Sequence, residues 1–179
     1  MGNQPARRRL FRKALAAVAL ALGLVPGLSG CGYSVRAPFD STVKTVHVPV
    51  FRSITFRRDV NLQLTELVIK EIERRTPFKV VGNPAEADTI LDGTVNYADK
   101  NLVVENPFNL PRQLTAMMNV TVNWTHNPPT KEELDPARPT IISETVNFVP
   151  EVGETSESAF YKVNQKLAQQ IVDMMESPW

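Results

Sequence analysis

Hydrophobic and polar positions along the chain fall into segments of clearly different period. The most regular runs from Leu114 to Thr125, where Leu114, Ala116, Met118, Val120, Val122 and Trp124 alternate with Thr115, Met117, Asn119, Thr121, Asn123 and Thr125. Such period-two repetition predicts a strand with one buried face. Val43 to Phe51 alternates in the same way, with Val46, Val48 and Val50 on one face and Thr45, His47 and Pro49 on the other. Proline has no ladder donor, so Pro49 places an edge or a strand exit there. Upstream of the central strand, Leu91, Val95 and Tyr97 alternate with Asp92, Thr94 and Asn96, and the chain continues through Leu102, Val103 and Val104 to a tip bracketed by Pro107 and Pro111. The two runs predict a long hairpin. Arms of about 13 residues would reach roughly 43 Å, unless the polar break at Asp99, Lys100 and Asn101 bends them.

Two segments carry helical spacing instead. After Asp59, a candidate cap, come Val60, Leu64, Leu67, Val68 and Ile72, and after Thr155 or Ser156 come Phe160, Val163, Leu167, Ile171 and Met174. The first helix should stop at Thr76, because the residue before Pro77 is pushed out of the α region. Phe78 to Val81 reads as a short strand closed by Gly82, Asn83 and Pro84, and Thr140 to Val149 as a last strand with Ile142, Val146 and Phe148 on one side. A Pro-rich, charged connection from Asn127 to Pro139 precedes that strand. The expected fold is an α+β two-layer sandwich, two helices packed on one face of a mixed four-stranded sheet with a long β-hairpin.

The amino-terminal region follows other rules. Arg7, Arg8, Arg9, Arg12 and Lys13 precede an apolar run from Ala14 to Val25, which is shorter than the roughly 20 residues a membrane-spanning helix needs. It reads as the apolar region of a signal peptide. Pro26 and Gly27 end it, and Leu28, Ser29, Gly30 and Cys31 follow in the order of a bacterial lipobox, with Cys31 the only cysteine of the 179 residues. This resembles the bacterial lipoprotein signal. It implies cleavage before Cys31, a diacylglycerol thioether on its sulfur and an acyl chain on the new amine. Several chains hold a protein on a bilayer where one binds marginally. Gly32, in place of the aspartate that retains many lipoproteins at the inner membrane, favours the outer membrane, on its periplasmic side. The layout expected is a signal peptide over 1–30, a linker over 31–42 and one domain over 43–179.

Without residues 1–30 the chain keeps 15 basic and 19 acidic groups, a net of −4. A mildly acidic body argues against a nucleic-acid partner. No phosphate-cradling glycine loop, nucleophile elbow or pair of histidines at zinc-ligand spacing occurs, so neither an enzyme nor a metal or cofactor site is expected. His47 and His126 read as surface histidines, and Asp88 and Asp92, two strand-start carboxylates on one face, as solvated groups before an acid/base pair. Arg52, Arg57 and Arg58 form the densest basic patch, either a solvated loop or a contact for phosphates and anionic lipid headgroups. Phe108 and Leu110 at the hairpin tip either form a contact surface or fold back.

Taken in order, several segments resemble the lipopolysaccharide-assembly lipoprotein family LptE. They are the lipobox with Cys31-Gly32-Tyr33, the strand Val46-His47-Val48-Pro49-Val50-Phe51, the helix containing Leu64-Thr65-Glu66, and the exit Arg75-Thr76-Pro77-Phe78-Lys79-Val80-Val81. The stretch from Ala87 to Val95 and a closing helix ending near Trp179 complete the likeness. The resemblance implies an outer-membrane lipoprotein that plugs the β-barrel LptD, contacts lipopolysaccharide and assists its delivery to the outer leaflet. On that reading Phe108, Asn109, Leu110, Pro111 and Arg112 are candidates for barrel or lipid contact. The alternative is a freestanding periplasmic lipoprotein that acts as scaffold or adaptor for another envelope complex.

Overall fold

A computed structural model describes residues 39–57, 59–105, 107–108, 111–134 and 139–176. The signal region, Cys31, Arg58, Asn109, Leu110 and Trp179 lie outside the described residues. In chain order the elements are β1 (Thr45–His47), β2 (Arg52–Ser53), α1 (Val60–Arg75), β3 (Lys79–Val81), β4 (Thr89–Glu105), β5 (Pro111–His126), β6 (Thr140–Phe148) and α2 (Ser156–Met175). The strands form one mixed sheet in the order β3-β1-β4-β5-β6, with β2 beside β4. β1 lies parallel to both β3 and β4, β2 is parallel to β4, and β4-β5-β6 is an antiparallel meander. Two helices on this mixed sheet make the expected two-layer α+β arrangement. The sheet has six strands instead of four because the first predicted strand is cut off after β1, the chain returns as β2 just past its expected end in the stretch read as a basic connection, and the short β3 joins the edge.

The cut has a local cause. Pro49 cannot donate to a ladder, so the chain leaves the sheet after β1 and returns at β2. Helix α1 takes over the polar groups exposed by the break. The Phe51 amide donates to Thr65 Oγ1 at 3.0 Å, Asn61 Nδ2 donates to the Phe51 carbonyl at 2.7 Å, and the Thr65 hydroxyl donates to the Asn61 carbonyl at 2.7 Å. This corrects the expected face assignment. Val46 and Val48 are buried as predicted, but Val50 is 57% exposed and Phe51 takes the buried place at 1%. The Phe51 ring lies against Gly93 of β4, where a Cβ would stand 2.5 Å from Phe51 Cδ2. A glycine is therefore required there by space alone.

Helix α1 buries Val60, Leu64, Val68 and Ile72 and ends before Thr76, whose φ of −113° and ψ of 158° are extended, as a residue before proline should be. Asp59 occupies the N-cap position in the left-handed region, with φ 65°, and its side chain makes no capping bond. Thr155 does cap α2, accepting from the Ser158 amide at 3.1 Å. The helices pack on each other as well as on the sheet. Buried Asn164 of α2 donates to Gln63 Oε1 of α1 at 2.7 Å, and Arg75 at the end of α1 meets Asp173 at 2.5 Å and Glu176 at 2.7 Å.

The hairpin runs straight through the polar triplet Asp99, Lys100 and Asn101, which pair with Met117, Ala116 and Thr115. Register shifts instead of the polar triplet disturb it, one between Val95 and Tyr97 and a pair around Val104. The first inserts one extra residue, Asn96, so the faces exchange. Buried positions run Leu91, Gly93, Val95 and then Ala98. Tyr97, expected beside Leu91 and Val95, is on the opposite face and 37% exposed.

Candidate functional site

With 17 residues in β4, the hairpin is about 56 Å long at the usual rise. Its two halves have different surroundings. From Thr89 to Val95, β4 lies between β5 and the pieces β1 and β2. From Asn96 onward β5 is its only paired neighbour among the described residues, since β6 pairs with β5 on the far side and begins to do so at Leu114. Leu102, Val103, Val104 and Phe108 are all exposed, Phe108 at 83%. Across the register shift Leu102 lies opposite Leu114 and Val104 opposite Gln113, adjacent residues of β5 that point to opposite faces, so Leu102 and Val104 make both faces of the hairpin apolar here.

Of the predicted tip residues, Phe108 and Arg112 are described and exposed, and the Arg112 Nε lies 4.0 Å from Glu151 Oε2, an ion pair at the limit of contact with both side chains in water. Pro111 opens β5 opposite Glu105. A second apolar surface, missed in the sequence, lies farther along β4. Ile54 and Phe56, just after β2, are strongly exposed, Phe56 completely. With Arg57, Asn96, Tyr97 and Asp99 they line an open groove of about 600 Å³. The signal was present as Ile54-Thr55-Phe56, but the basic residues around it dominated the reading of that stretch.

The arginine patch is divided. Arg52 on β2 is exposed, whereas the Arg57 guanidinium sits 3.9 Å from the centroid of the buried Phe160 ring. Such a contact is worth about 0.5–2 kcal/mol according to its exposure. Arg57 therefore holds the loop after β2 onto α2.

The remaining candidates have structural partners. Asp88 Oδ2 accepts from the Lys44 and Thr45 amides, each at 2.9 Å, and these bonds hold its carboxyl below the usual carboxylate range. Asp92 is exposed on β4 and is not part of that arrangement. The His47 Nδ1 is 2.9 Å from the Val81 carbonyl, and His126 Nδ1 is 2.7 Å from Glu133 Oε1. Glu133 organises the start of the Pro-rich connection, because its other oxygen accepts from the His126 amide at 3.2 Å and the Thr130 amide at 2.8 Å. Burial alone would push the Glu133 carboxyl up, but the bonds from Thr130 and His126 outweigh it and lower it to about 2. Among the described residues no cluster of three His, Cys, Asp or Glu side chains is placed to hold a metal. No described helix is long and apolar enough to cross a membrane.

Similar architecture occurs in solved lipoprotein structures. An uncharacterized lipoprotein B from Nitrosomonas europaea superposes with a TM-score of 0.54 at 14% identity, covering 82% of this chain and 91% of that one. The rare lipoprotein B from Shewanella oneidensis aligns at 12% identity and a TM-score of 0.44, covering 74% of this chain and 93% of the other. At these identities the first likeness shows the fold, and the second adds no argument. Among curated protein sequences none is significantly similar. The family model described as lipopolysaccharide-assembly matches residues 43–175, and the chain belongs to this LptE family of non-enzymatic lipoproteins.

Proposed function

We propose that this protein is held on the periplasmic face of the outer membrane through acyl chains on Cys31 and plugs the β-barrel LptD, where it assists the passage of lipopolysaccharide. In this reading residues 1–30 are removed, 31–42 form a linker and 43–179 are the plug. The observation that carries the proposal is the hairpin end. Leu102, Val103, Val104 and Phe108 are exposed at the far end of the hairpin, where β4 has only β5 beside it among the described residues, and burying such a surface is favourable at roughly 25 cal/mol per Å². A barrel lumen supplies walls on every side, which suits a projection that is apolar on both faces. The acidic net charge of the body means that lipopolysaccharide would be met locally, with Arg52, Lys100 and Arg112 among the exposed described cations on the strands that carry the two apolar surfaces. Affinity recovery of the lipidated protein from its own outer membrane tests the reading. A large β-barrel recovered one to one, and lost when Phe108 to Arg112 are replaced by a short turn, is the expected result. A membrane extract that yields no barrel, with the anchorless domain folded and monomeric, would instead make the protein a freestanding adaptor.

A further inference from the structure

The distal half of β4 presents more than apolar side chains. In a strand, backbone N–H and C=O groups alternate between the two edges in step with the side chains' alternation between the two faces. Val95 faces the helices, and its carbonyl points to the β2 edge, where it accepts from the Ile54 amide at 3.1 Å. Past the extra residue Asn96, the positions sharing that face are Ala98, Lys100 and Leu102, which lie opposite Met118, Ala116 and Leu114. Their backbone groups therefore turn to the same edge as Val95, away from β5. The Lys100 amide agrees with this, since it donates at 2.8 Å to its neighbour's side chain, Asp99 Oδ1, and not into the ladder. β2 ends at Ser53, so the ladder that it starts on this edge breaks off after Val95.

We infer that the edge of β4 from Ala98 to Leu102 is a strand-addition site, on which an extended segment of the barrel partner continues the ladder begun by β2. The inference rests on the plug reading and specifies how the plug is held. Hydrogen-bond complementarity identifies the occupant. Donors and acceptors at ladder spacing are met in full by an extended peptide, and an acyl chain cannot satisfy them. Side chains at the site set the character of the incoming strand. Ile54, Phe56 and Tyr97 line the groove where it would start, and Leu102 and Val103 flank its far end, so apolar residues near both ends of the segment would be covered. The Asp99 carboxylate shields the Lys100 amide in the unpaired state and is displaced by the incoming carbonyl. A carboxylate over an open edge also discourages pairing with a second copy.

Substitution at Lys100 separates backbone pairing from side-chain contact. Lys100→Pro removes the outward donor while leaving the bonds to β5, and proline is tolerated on an edge whose amide faces water. Lys100→Ala removes the charge and keeps the donor. The full lipidated variants are recovered from their own outer membrane, and amide exchange of residues 96–105 is followed at single-residue resolution in the free protein and in the recovered complex. Expected are slowed exchange at Ala98, Lys100 and Leu102 on complex formation, recovery reduced about tenfold by Lys100→Pro, as fits one lost hydrogen bond with its acceptor left unpaired, and near-normal recovery with Lys100→Ala. Equal recovery of the barrel by Lys100→Pro, or unchanged exchange in the wild-type complex, overturns strand addition and leaves the plug reading standing. Recovery of no barrel by the wild type removes both. Should Lys100→Pro fail to fold by circular dichroism, the wild-type exchange pattern alone decides.

Discussion

The two halves of the β4-β5 hairpin are continuous strands with opposite surroundings. Between Thr89 and Val95, β4 is paired with β5 on one edge and, at Thr89-Ile90 and Thr94-Val95, with β1 and β2 on the other, and Leu91, Gly93 and Val95 are buried beneath the helices. Between Asn96 and Glu105 one edge has no paired strand among the described residues, and the helix-side positions Lys100 and Leu102 are exposed. The first half obeys strict alternation, so its apolar residues find their complement inside the domain. The second abandons alternation at Leu102-Val103-Val104, and no two-layer fold can bury both faces of a strand with one layer of helices. The difference separates two uses of apolar residues on one element, stability in the proximal half and, in the function proposed, contact with another molecule in the distal half.

Substitutions should divide along the same line. The largest effect is expected from Phe51→Ala, which empties the core at the β1-β2 break and should cost about 3–5 kcal/mol in a denaturant titration. Gly93→Ala drives a methyl group into the same ring and should cost about 1–3 kcal/mol. Combining it with Phe51→Leu should recover part of that loss in a double-mutant cycle, and simple additivity would show that the ring is not the obstacle. Thr65→Val keeps the shape but leaves the Phe51 amide without its acceptor, for a loss of about 1–3 kcal/mol. A value near zero would mean that the clamp by α1 is dispensable.

Glu133→Gln tests a smaller, pH-dependent contribution in the connection. The carboxyl is lowered from an ordinary 4.5 to about 2 by its bonds, so its contribution is complete above about 4.5 and is lost as pH falls through about 2. The wild type should therefore lose stability between these pH values more steeply than the variant, and parallel pH curves would remove Glu133 from the account. At the small end, Val103→Ser in the distal hairpin should change stability of the isolated domain by no more than about 0.5 kcal/mol while weakening recovery of the partner. A large stability loss there would show that the distal half belongs to the core after all.

Much of this was legible in the chain itself. The alternation from Leu114 to Trp124 and the helical stripes from Val60 to Ile72 and from Phe160 to Ile171 appear in the structure as read, because each is a local period matched to one buried face, although at the end of the second stripe Met175 is fully buried and the expected Met174 only partly. What escaped depends on distant partners. Val50 and Phe51 exchange roles because Asn61 and Thr65, on a helix, hold the Phe51 backbone. Tyr97 turns outward because the pairing with Asn119 leaves Asn96 as an extra residue. The exposed tip could be anticipated from Pro107, Phe108 and Pro111, whereas the open edge could not, since where β2 stops is decided by pairing and not by composition.

The contact between the helices also bears on how the chain comes into being. Asn164 bonds to Gln63 across 101 positions, and Arg75 reaches Asp173 and Glu176 across 98 and 101. A polypeptide made and exported from its amino end exposes α1 long before α2 is available to meet it. Closing so long a loop is slow compared with forming either helix. Until residue 156 and the turns after it arrive, part of the apolar stripe of α1 stays in water, so a nascent or truncated chain lacking α2 is a natural client for holding chaperones and a target for envelope proteases.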